Sequence, residues 1–218
     1  MQKSKVQIKN QKGFTVLELL VSATVLITIM TFVLANFRTG QYSGELDVVT
    51  RQIVDSVGTV RNMTLGGQVI EDPTSPGQRV FPAGGYGVHF DNISVDNAKR
   101  LVLYADGINS FSEKNSTYDS GEEITGGVIN FENVTLIQLC GLDQTPIPSV
   151  PCDSDNWSIL GNSLDVIFPV PGKTTATYTV TDSYDYVGGV FSHQETAKLS
   201  YFYVSLLSGL VSGGLIDD

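Results

Sequence analysis

The sequence predicts an α+β protein in which a long N-terminal helix, apolar at first and amphipathic later, packs on an antiparallel β-sheet head. Three observations carry that prediction. Residues 14–34 are almost wholly apolar, Leu46, Val49, Ile53, Val57 and Val60 then recur at helical spacing, and from Tyr86 onward the chain breaks into short β-rich runs separated by glycine, proline and polar turns.

The apolar stretch comes first. Phe14 to Leu34 is 21 residues, about 30 Å of helix at 1.5 Å per residue, which matches the hydrocarbon core of a bilayer. Glu18 is its only charge. Lys3, Lys5, Lys9 and Lys12 precede it and the first acids after it are Glu45 and Asp47. The positive-inside bias therefore places the N-terminus in the cytoplasm and the remainder outside. An ordinary secretory signal has a shorter apolar run followed by a small-residue cleavage site. Here the small residue, Gly13, stands in front of the run instead.

Past the apolar run the stripe Leu46, Val49, Ile53, Val57 and Val60 marks one face of a helix. Arg51 and Asp55 form an i,i+4 pair on the opposite side. Gly66-Gly67 supplies a C-terminal stop. A helix over 14–66 is thus expected, with 14–34 as its membrane-spanning part. A coiled coil is the competing reading of the stripe, but it covers only about two heptads.

The head is expected over 67–218. Residues 68–85, with Pro73, Pro76 and Pro82, read as a connecting loop. Seven strand-like runs follow, at Tyr86 to Asp91, Leu101 to Ala105, Val128 to Phe131, Val134 to Leu139, Leu164 to Phe168, Thr174 to Thr181 and Leu199 to Leu207. Strands that follow one helix imply an antiparallel sheet laid against it.

Hydrophobic residues make up 41% of the chain and charged residues 17%, the balance of a folded body rather than a disordered one. The net charge of −10 is uneven: the four leading lysines leave 9 basic against 23 acidic side chains, or −14, for everything after them. Such a body repels phosphate, which argues against nucleic acid as a general partner. The two cysteines, Cys140 and Cys152, have 11 residues between them. Outside the cytoplasm a disulfide closing that loop would stabilise by roughly 3 kcal/mol; two free thiols or a two-ligand metal site are the alternatives.

Gly13-Phe14-Thr15-Val16-Leu17-Glu18-Leu19-Leu20, behind a basic leader and ahead of an unbroken apolar run, resembles the N-terminal signature of bacterial type IV pilins and type II secretion pseudopilins. The resemblance covers about 25 residues. It implies a leader of residues 1–13 removed by a prepilin peptidase, an N-methylated Phe14 at the new terminus, and Glu18 as the fifth mature residue. A carboxylate in hydrocarbon is costly unless paired, and cleavage creates an α-amine, with a pKa near 8, that can serve as its counter-charge on a neighbouring subunit. The family further implies a pilin-like fold and, as partners, other pilin or pseudopilin subunits and an inner-membrane assembly platform. Many major pilins carry a proline where this chain has Ala35, which favours a minor subunit. The runs around Tyr86, Leu101 and Tyr118 are similar to the heads of minor pseudopilins of the GspH/FimT type.

Chemistry-bearing candidates in the head are few. Asp106, Asn109, Asp119, Glu122 and Glu123 gather in and beside one loop; oxygen-rich loops can coordinate calcium, and some pseudopilins bind it, but the spacing departs from the EF-hand pattern. His89 and His193 belong to no metal-ligand motif and read as surface or edge-strand residues. No GxSxG, P-loop or GxGxxG motif occurs, so the chain is expected not to be an enzyme. A filament subunit is the reading these features favour, with a membrane-anchored or pilus-tip binding module as the alternative.

Overall fold

The protein's structure is a computed structural model that describes residues 14–72, 77–93, 96–107, 115–143, 152, 157–169, 175–178 and 184–216. One α-helix, α1 (Val16–Leu65), is followed by twelve strands among the described residues. The chain divides into two compact units, the first ending at Gln41 and the second running from Tyr42.

The first unit holds the apolar part of α1. Its large apolar side chains, from Phe14 through Leu26, Met30 and Phe32 to Phe37, are all more than half exposed. This helix is long and apolar enough to cross a membrane. Four of its hydroxyl groups are satisfied within the helix itself: Ser22, Thr24, Thr28 and Thr31 each donate to the carbonyl four residues back, at 2.7 to 2.8 Å. In a medium without water that internal pairing removes the cost of bare polar atoms. The helix passes through Ala35 without a break.

In the second unit, the later part of α1 buries Leu46, Ile53, Val57 and Val60 completely. These are four of the five residues of the expected stripe; Val49 packs on the core half-buried. Arg51 pairs with Asp47 at 2.9 Å, one turn before it rather than with Asp55 one turn after. The helix stops where expected. Gly67 takes φ +60, and the N–H groups of Gly67 and Gln68 return to the carbonyls of Thr64 and Met63, a Schellman closure that a side-chain-bearing residue would strain.

The strands are β1 (Ile70–Glu71), β2 (Arg79–Val80), β3 (Gly85–Asp91), β4 (Arg100–Asp106), β5 (Glu123–Asn130), β6 (Val134–Leu142), β7 (Ser158–Gly161), β8 (Ser163–Phe168), β9 (Thr175–Tyr178), β10 (Tyr186–His193), β11 (Leu199–Ser205) and β12 (Val211–Ile216). They form two five-stranded sheets, ordered β5-β4-β3-β8-β9 and β12-β11-β10-β6-β7, and a small β1-β2 ladder within the expected connecting loop. All pairings are antiparallel.

One hydrophobic core joins α1 to both sheets. From the first sheet come Tyr86, Val88, Phe90, Leu101, Leu103, Leu164 and Val166, and from the second Leu136, Leu139, Val187, Phe191, Phe202 and Val204. Phe90 and Phe202 stack at 4.6 Å, and Phe131 meets Phe191 edge-on. Thr64, buried near the end of α1, donates to the carbonyl of Phe168 at 3.0 Å, tying the helix to the end of β8.

Each of the seven expected strand-like runs overlaps a strand. β1, β2, β7, β10 and β12 lie outside them, and β5 begins five residues earlier than expected. β10 is central in its sheet, yet its Gly188-Gly189 pair weakens the strand signal. The packing accounts for the missing side chain: a Cβ at Gly188 would stand 2.3 Å from the Phe202 carbonyl oxygen.

Candidate functional site

The N-terminal motif is the strongest candidate. Gly13 lies outside the described residues. Phe14 is largely exposed, and Thr15 directly precedes the first helical residue. Thr15 Oγ1 accepts the backbone N–H of Glu18 at 3.2 Å. Thr15 is therefore the N-cap and Glu18 the third helical residue, the T-x-x-E spacing of a capping box. The carboxylate sits in the first turn, where the helix dipole favours negative charge. Thr15-x-x-Glu18 was readable in the sequence as a helix start. The apolar run around it drew attention to the cost of the charge instead.

The cysteines form a disulfide, Cys140–Cys152, with Cα atoms 5.5 Å apart. Cys140 lies in β6, and with Leu142 and Trp157 it makes a small second core on which Cys152, Tyr186 and Tyr203 pack. The bridge is thus packed among aromatic side chains.

The acidic residues around 106–123 are anchors for backbone. Glu122, buried, accepts the N–H groups of Gly107 at 2.9 Å and Asp119 at 3.0 Å. Asp106, also buried, accepts those of Asn115 at 3.3 Å and Ser116 at 3.0 Å. Asp119 takes the Asn115 side-chain amide at 2.8 Å, and Glu123 takes the Tyr118 hydroxyl and the Gly121 N–H. Asn109 lies outside the described residues. Among those described, no group of three or more histidine, cysteine, aspartate or glutamate side chains is arranged to hold a metal ion. The carboxylates described there fasten backbone around residues 107–121.

These contacts perturb titration. The Tyr118 hydrogen bond holds the Glu123 carboxyl below the usual range. Burial, then that same bond, pushes the Tyr118 phenol up to about 12. Burial followed by the charges of Asp165, Asp106 and Glu122 drives Tyr104 above the ordinary phenol range.

Both histidines depart from the expected surface or edge placement. His89 stands in the central strand β3, directly across from Asp165 in β8, with Nδ1 2.8 Å from Oδ1. The Tyr118 ring lies against the imidazole at 4.7 Å, and the Tyr118 N–H donates to the same Asp165 oxygen. His193 is 1% exposed and reaches Glu45 of α1. Neither pairing is visible in sequence, because the partners lie 76 and 148 residues apart.

Comparison with protein-family models, curated proteins and solved structures finds no match for this chain.

Proposed function

We propose that the protein is a filament subunit of a type IV pilus or a type II secretion pseudopilus, cut by a prepilin peptidase after Gly13 and assembled through its apolar helix. One observation carries the reading. An apolar helix with its large side chains exposed begins two residues after Phe14, with Glu18 in its first turn.

That surface calls for lipid or for other apolar helices. In the bilayer it is covered by acyl chains, and in a filament by neighbouring copies of the same helix. Glu18 supplies the register: a carboxylate one turn into the helix can meet the Phe14 α-amine of an adjacent subunit, where the pairing offsets desolvation. The leading lysines and the later acids orient the chain with its N-terminus in the cytoplasm and its head outside the inner membrane. The Cys140–Cys152 disulfide suits that oxidising side.

Mass spectrometry of the mature N-terminus tests the proposal. The expected product begins at a methylated Phe14. An intact leader, or a cut far from Gly13, overturns it.

A further inference from the structure

His193 closes β10 and is enclosed by α1 and the turn that follows the strand. Its Nδ1 accepts the backbone N–H of Glu195 at 3.2 Å, and its Nε2 lies 3.1 Å from Glu45 Oε2. A backbone N–H only donates, so Nδ1 carries no proton here and Nε2–H donates to Glu45. Tyr42 lies over the ring at 4.7 Å and donates its hydroxyl to Glu195 Oε2 at 2.8 Å. Asn133 donates to Glu45 at 3.0 Å, and the Lys198 ammonium donates to Ser43. Among the described residues, the titratable and charged groups in these contacts are Glu45 and Tyr42 from α1 and Glu195 from the turn, with Lys198 held beside them on Ser43.

We propose that this constellation is a proton-sensitive clasp, closed around neutral His193 and opened when the ring takes a second proton. The second proton goes to Nδ1, the one ring nitrogen without one. Two N–H groups cannot share a hydrogen bond, so the Glu195 N–H is displaced from the ring. Glu45 and Glu195 attract the imidazolium and Lys198 repels it, but no balance of those charges restores the lost bond. The turn 194–198 must then rearrange, and with it goes the Tyr42–Glu195 bond that ties the turn to residues 42–45 of α1. Acid thereby loosens the second unit locally at Tyr42–Glu45, while the core strands remain paired.

The test is hydrogen exchange on the full-length chain in detergent micelles, read by NMR from about pH 8 to about pH 5 and corrected for intrinsic exchange. His193 ring-nitrogen shifts are recorded in the same samples. The expected result is an Nε2–H neutral ring at high pH and, as it protonates, a loss of Glu195 amide protection by about tenfold or more. Central β10 amides should hold steady. His193→Gln should abolish the pH dependence and His89→Gln should leave it intact. A Glu195 amide still protected on a protonated ring, a ring that stays neutral until the whole second unit unfolds, or an unchanged pH profile in His193→Gln each overturns the clasp. Should His193→Gln not fold, the wild-type measurement decides alone.

Discussion

Thr15 Oγ1 accepts the backbone N–H of Glu18 at 3.2 Å, so the residue whose carboxylate interrupts the apolar run also meets the N-cap of its helix through its backbone. The cap is a backbone contact and the counter-charge a side-chain one, so the two are separable. Glu18→Ala removes the whole polar side chain and Glu18→Gln removes only its charge, while both keep the backbone N–H that Thr15 accepts. Under the proposed function both variants insert into the membrane and both fail to enter filaments, as read by membrane fractionation and by shearing of filaments. Normal incorporation of Glu18→Gln would refute the counter-charge. Thr15→Ala should cost about 1 kcal/mol of local helix stability, seen as faster exchange of the Glu18 amide.

The Cys140–Cys152 disulfide encloses a short loop beside Trp157. Replacing both cysteines by serine should destabilise the second unit by roughly 3 kcal/mol in the chain-entropy account, or about 6–12 °C in Tm for a domain of this size. Thermal melts followed by Trp157 fluorescence measure it. Reductant should reproduce the shift in the wild type and add nothing to the double variant.

The tyrosines give a pH dependence with a definite sign. Burial pushes Tyr86 up to about 12, as burial and the Glu123 bond do for Tyr118, against 10.0 for a free phenol. Between those values the unfolded chain loses its phenolic protons first, so stability falls as pH rises through that window. Glu123 runs the other way. Its lowered pKa adds stability above the ordinary value of 4.5 that is lost as pH falls through the folded value. Tyr118→Phe deletes the shared hydrogen bond and should flatten the acid dependence while leaving only the Tyr86 part of the alkaline one. Denaturant midpoints measured across the acid range, and phenolate absorbance across the alkaline range, check the two signs.

Phe202 is fully buried and touches both Phe90 and Phe191. Phe202→Ala should cost about 3–5 kcal/mol because it opens a cavity where the helix and both sheets meet. Phe202→Leu keeps most of the volume and should cost distinctly less. Chemical denaturation of the two variants reads the difference.

How far the sequence led depends on how local each signal is. The helix was legible from Phe14 to Gly67 because its periodicity, its Gly66-Gly67 stop and its apolar run are all written in neighbouring residues. The Arg51 pairing was not, since Asp47 and Asp55 are equally spaced from it and rotamer preference chooses between them. β10 escaped notice for a similar reason: its Gly188-Gly189 pair makes sense only beside Phe202, a residue from the neighbouring strand. The backbone partners of Asp106 and Glu122 were not legible either, because sequence counts oxygens and does not show which N–H groups they accept.

By itself the sequence determined the α+β class, the helix and its limits, the apolar surface with its single carboxylate, and the two cysteines available for a bridge. Tertiary structure decided the rest: two sheets of five strands, carboxylates spent on holding a turn, and histidines seated against Asp165 and Glu45. The division has a physical cause. Helix periodicity and apolar length act within a few residues of each other, whereas buried polar side chains take whichever partner the closing of long loops brings within about 3 Å.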